Sequence, residues 1–160
     1  MKQTVLRFGL IAGVLIVVLG WTNFFVTKNI GYTAAEIGGY ISIILALSAV
    51  YFGIRHQRDT VNEGRISFRH AVHTGLLISL IPSFFILVST IIFMSTLGDQ
   101  WVEWAMENAS DAQRAQYEEA PPWMYNPLFQ GVVMFGTVFV IGLIATLVSA
   151  FVLKQEPQAA

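Results

Sequence analysis

The sequence contains no cysteine, which removes disulfide scaffolds, thiolate zinc sites, iron–sulfur clusters and cysteine nucleophiles together. Charge is scarce too: Asp, Glu, Lys and Arg make up 12% of the 160 residues, against about 25% in an ordinary soluble domain. Nine basic and ten acidic residues leave a formal net charge of −1, so there is no basic field to attract a nucleic acid. Apolar residues fill the gap, at 55% of the chain with a mean hydropathy of +0.62. That balance excludes a disordered or collagen-like chain and argues against a water-soluble domain. Catalytic signatures are missing as well: there is no Ser–His–Asp order, no His-Glu-x-x-His pattern and no phosphate-binding loop. Gly38-Gly39 has no strand before it, so it does not qualify as one. The chain reads as a non-enzyme without a cofactor.

The apolar residues fall into four blocks, at about 8–26, 37–54, 71–97 and 128–153, and no Asp, Glu, Lys or Arg lies inside any of them. About 20 helical residues cross a bilayer core, and backbone groups in lipid must be satisfied within their own segment, which makes such blocks helices. The expectation is an all-α membrane protein: one integral membrane domain over 1–160, built as a four-transmembrane-helix bundle. The first block reads as a retained anchor rather than a cleaved leader. Trp21, Phe24 and Phe25 stand where small residues would mark a cleavage site. Orientation follows from the basic residues. Lys2, Arg7, Arg55, Arg58, Arg65, Arg69 and Lys154 lie on one side of this arrangement, and Lys28 and Arg114 on the other. The positive-inside rule then puts both termini in the cytoplasm.

The connections carry local signals. Thr33-Ala-Ala-Glu36 has the spacing of a capping box and predicts the start of the second helix; the rival reading of Glu36 is a proton or cation site at the membrane boundary. Asn62-Glu63-Gly64 has turn chemistry between Thr60-Val61 and Ile66-Ser67-Phe68, which suggests a reversal between two short extended pieces, with Ser67 capping the third helix. The connection from about 98 to 127 is long and acidic. It predicts two short extracytoplasmic helices between helices 3 and 4. Asp99 would cap the first, with Trp101, Trp104 and Ala105 on one face, and a Ser110–Gln113 box would open the second, which Pro121-Pro122 ends.

The order of features resembles a known family. A Gly-x-x-x-Gly first span, a second span ending Gly53-Ile-Arg-x-x-x-Arg-Asp59, the run Gly64-x-Ile-Ser-Phe-x-x-Ala71 and an acidic outer loop ending in prolines are similar to the domain-of-unknown-function family numbered forty-one ninety-nine. The resemblance covers nearly the whole chain. It implies a small four-span bacterial membrane protein, hence an inner-membrane location, and it brings no activity and no catalytic residues.

Three groups of residues remain as candidate sites. His56, His70 and His73, with Asp59 and Glu63 near in sequence, are weighed as metal ligands and read instead as headgroup neighbours. Arg55, Arg58, Arg65 and Arg69 with His70 and His73 form a basic cluster. It is required by topology, and it is also suited to an anionic lipid headgroup, because Arg binds phosphate as a planar fork. Small residues line helix faces: Gly9 and Gly13, then Ser42, Ala46, Ala49 and Gly53, then Gly142, Thr146, Ser149 and Ala150. Such stripes let helices approach closely; packing within the monomer is the default reading and a homo-oligomer the alternative. Pro82, flanked by Ser79 and Ser83, reads as a packing kink in preference to a hinge. The expected partners are the bilayer and its anionic lipids, with a membrane-protein partner or second copy, and no nucleic acid. The function expected is that of an assembly, accessory or regulatory component. The alternative is a small oligomeric transporter or channel for a neutral or lipid-like solute.

Overall fold

A computed structural model describes residues 1–155, so the last five residues of the expected domain lie outside the described residues. The chain is helical almost throughout: α1 (Lys2–Thr27), α2 (Tyr32–His56), α3 (Phe68–Asn108), α4 (Asp111–Glu119) and α5 (Pro127–Leu153). A π-helical turn, Gln57–Val61, follows α2, and a 3₁₀ turn, Pro122–Tyr125, precedes α5. Four helices, α1, α2, α3 and α5, are long and apolar enough to cross a membrane. Their outer surface is apolar as well as their core, where Ile16, Ile54, Ile78 and Val138 are buried. Large side chains such as Val26, Ile44, Leu128 and Phe151 face outward, while Ala12, Ala46, Ala71 and Ala150 are fully buried. In lipid, outward apolar residues cost nothing, and helices associate through close packing and interhelical hydrogen bonds.

The four long helices form a ring in which α1 packs on α2 and α3, and α5 packs on α3 and α2, leaving α1 and α5 at opposite corners. Small residues set these approaches. Gly9 and Gly13 of α1 take the side chains of Ile81 and Phe85 of α3. Gly53 of α2 receives Ile78 and Phe8, and Gly75 of α3 lies against Thr146 of α5. Ser42, Ala46 and Ala49 are buried on the same bundle-facing side of α2. At the tightest seam, Ser79 Oγ lies 2.9 Å from the Gly75 carbonyl, 3.2 Å from the Gly142 carbonyl and 3.4 Å from Thr146 Oγ1. Pro82 is buried within α3, which continues through it. The neighbouring serines hydrogen-bond the carbonyls of Gly75 and Ser79, not that of Ile78, whose usual amide partner the proline removes.

The local signals divide. Ser67 caps α3, its hydroxyl accepting from the His70 amide at 3.3 Å. The Ser110–Gln113 box forms in both directions: the Gln113 amide donates to Ser110 Oγ, and the Ser110 amide donates to Gln113 Oε1. Two other expectations are corrected. Thr33 and Glu36 make no box, because α2 starts earlier, at Tyr32, with Gly31 as its N-cap. Gly31 has φ +129°, a conformation open to glycine and strained for any residue with a Cβ, so the chain turns there and Thr33 already lies inside the helix. Asp99 caps nothing. α3 runs unbroken for 41 residues to Asn108, roughly 60 Å at 1.5 Å per residue, twice the depth of a bilayer core. Trp101 and Trp104 hold this extension against Tyr117 and Tyr32. The connection after α2 is also not a hairpin. Thr60-Val61 belong to the π turn, closed by the Asn62 amide on the Gln57 carbonyl at 3.0 Å. Ile66 pairs instead with Gln155 through reciprocal backbone bonds of 3.2 and 2.9 Å.

Candidate functional site

The antiparallel order of the long helices gives the bundle two chemically different ends. One gathers the start of α1, the π turn, the start of α3 and the end of α5, and it carries the basic cluster. There, Asp59 draws in two arginines: Arg58 Nε donates to it at 2.6 Å and Arg55 Nε at 3.4 Å. Arg58 also reaches the Leu153 carbonyl at 3.5 Å, tying the π turn to the end of α5. Arg65, Arg69 and His73 are exposed, and neither arginine has an ion-pair partner among the described residues. The six residues grouped by sequence therefore split into a structural pair, Arg55 and Arg58, an exposed set, Arg65, Arg69 and His73, and His70 apart from both. His70 is half-buried, and its Nε2 is shielded from solvent without a hydrogen-bond partner among the described residues. His56 has its ring 5.5 Å from Phe8 and its Nδ1 at 3.3 Å from Thr60 Oγ1. Among the described residues no three His, Asp or Glu side chains come together in a group that could hold a metal.

The other end is aromatic. The end of α1, the start of α2, the extension of α3 and the start of α5 surround a cavity of about 480 Å³. Its upper wall contains Trp21, Phe24, Tyr32, Phe93, Trp101 and Trp104, and its floor includes Ile16, Ile43, Ile86 and Met134. Among the described residues Glu36 is the only charged one that lines it. Two tryptophans are fixed by their ring N–H groups. Trp21 donates to Ser89 Oγ at 2.8 Å, and Trp104 donates to the Lys28 carbonyl at 2.7 Å. The Tyr32 and Tyr117 hydroxyls meet at 2.9 Å, and Tyr125 donates to the Tyr117 carbonyl at 2.7 Å. α4 is thereby strapped across the top of the bundle, with Arg114 Nε on the Met106 carbonyl at 2.9 Å. Burial pushes the Tyr117 phenol well above its ordinary range, and the bond to Tyr32 acts in the same direction.

A family model described as a protein of unknown function, DUF4199, matches residues 7–155. The chain belongs to the DUF4199 family. No curated protein and no solved structure matches it. DUF4199 membership fits the order of motifs around Arg58-Asp59 and Ile66-Ser67-Phe68, and the structure gives those motifs work to do. Asp59 collects two arginines, Ile66 is buried in the bridge to Gln155, and Ser67 caps α3. The cavity was not assembled from the sequence, because the Thr33–Glu36 spacing gave Glu36 a sufficient local explanation. A signal was present all the same: Trp21, Phe24, Tyr32, Trp101 and Trp104 all fall at the same end of the expected bundle as Glu36.

Proposed function

We propose that this DUF4199 protein is a non-catalytic accessory or regulatory component of a bacterial inner membrane, one that binds rather than conducts. The observation that carries this reading is the contrast between the two halves of the bundle. In the basic half, Ile54, Thr74, Ile78 and Thr146 are fully buried, and the Ser79–Gly142 contact closes the seam between α3 and α5. The cavity lies wholly in the aromatic half. A monomer with one open end and one packed end suits recognition more than passage. Seven of the nine Lys and Arg residues fall at the basic end or its termini, and the positive-inside rule assigns that end to the cytoplasm and α4 to the outer face. Exposed Arg65, Arg69 and His73 then face anionic headgroups, where each basic residue contributes on the order of 1 kcal/mol.

Flux in proteoliposomes tests the reading. Glycerol and urea permeation, and the flip rate of a fluorescent lysolipid, should match those of protein-free vesicles. Saturable transport of any of these solutes would replace the accessory role with that of a small transporter.

A further inference from the structure

We infer that the cavity at the aromatic end is a binding site for a single-chain amphiphile with a cationic, ammonium-type head. Charge gives the first argument. Among the described residues Glu36 is the one charged residue on the lining and has no ion-pair partner, and it is exposed at the cavity mouth. Glu36 stands near the start of α2 and has no capping role there, since Gly31 caps without a side chain, so its charge is left for something else to match. A cationic guest supplies the match. Among the described residues no Lys, Arg or His lines the cavity, so an anionic head would meet the Glu36 charge with no cation to offset it. Lys28, the nearest basic residue in sequence, holds its Nζ 5.9 Å from the Phe25 ring centroid.

The wall's chemistry gives the second argument. Trp21, Trp104 and Tyr32 spend their polar ends on Ser89, the Lys28 carbonyl and Tyr117. Asn23 donates to the Ala35 carbonyl at 2.8 Å, and Ser42 to the Gly38 carbonyl at 2.7 Å. What remains for a guest is aromatic surface, the Glu36 carboxylate and the hydroxyls of Tyr40 and Thr90. The rings and the acid together attract an ammonium group, and the acid is what separates it from a neutral head that the hydroxyls alone could hold. The floor of Ile16, Ile43, Ile86 and Met134 takes the tail, and about 480 Å³ lies within the usual range for sites that bind one small molecule.

The full chain in maltoside micelles is titrated with dodecyltrimethylammonium, followed by the fluorescence of the tryptophans, of which Trp21, Trp101 and Trp104 line the cavity. Dodecanol and dodecyl sulfate serve as neutral and anionic controls of equal tail. Saturable one-site binding of the cation is expected, weakened about tenfold in Glu36→Gln. Glu118→Gln, which removes the same charge from the exposed surface of α4, should bind as the wild type does. Equal affinity in wild type and Glu36→Gln, equal loss in both variants, or dodecanol binding as tightly as the cation would each overturn the assignment.

Discussion

Gly142 sits where α5 passes Ser79, and a Cβ added there would stand 2.7 Å from Ser79 Cβ and 2.8 Å from its Oγ. Gly136, on the same helix, has nothing within 4 Å. Lipid tails are as apolar as the helix surfaces, so stability here depends on how closely backbones approach, and the two glycines should respond oppositely to bulk. Gly142→Val is expected to cost about 1–3 kcal/mol through overpacking, while Gly136→Val should leave stability within about 0.5 kcal/mol. Thermal denaturation in detergent, read by circular dichroism, compares them directly; equal midpoints would show that the seam is not as tight as drawn. The small-residue stripes were legible because 3.6-residue spacing puts Ser42, Ala46, Ala49 and Gly53 on one face. The partners were not legible. Nothing in Gly-x-x-x-Gly says that Gly9 and Gly13 will receive Ile81 and Phe85 of the third helix rather than a neighbouring copy.

Among the elements, capping patterns succeeded where the chain breaks beside them and failed where it does not. Ser67 and Ser110 follow irregular segments and cap. Thr33 and Asp99 lie within continuous helix, because Gly31 turns the chain before one and aromatic anchoring carries α3 past the other. α4 is tied to the bundle in part through one phenol. Its Tyr117 phenol meets the Tyr32 hydroxyl at 2.9 Å, and burial raises its pKa above the ordinary value of about 10. The fold thus favours the neutral phenol. That contribution is fully present below the ordinary tyrosine value and is lost as pH climbs through the raised one. In an alkaline difference titration of phenolate absorbance between wild type and Tyr117→Phe, the component belonging to Tyr117 should appear above pH 10. A component at or below the ordinary value would mean that α4 does not cover this phenol.

For the molecule as a whole, the four spans were legible because uncharged apolar runs of that length admit one backbone solution in lipid. The aromatic cavity was not, since it is assembled from four helices and appears only once α3 is known to continue past Asp99. The proposed orientation rests on charge asymmetry, and the fold ties that asymmetry to its own termini. Gln155 pairs with Ile66, and Arg58 reaches Leu153, so the α2–α3 connection and the end of α5 must lie on the same side of the membrane. The start of α1 lies there too, with Phe8 beside His56 and Gly53. The chain has no cysteine, so single cysteines report without background. Val61→Cys in the π turn and Ala115→Cys on α4 are both at exposed positions. In intact cells stripped of their outer membrane, a membrane-impermeant maleimide should label Ala115→Cys and spare Val61→Cys until the membrane is opened. The reverse pattern would invert the protein and put the arginine cluster outside. Labelling of both in intact cells would break the bundle itself, because the two positions lie at opposite ends of α3, whose roughly 60 Å exceeds the thickness of the bilayer.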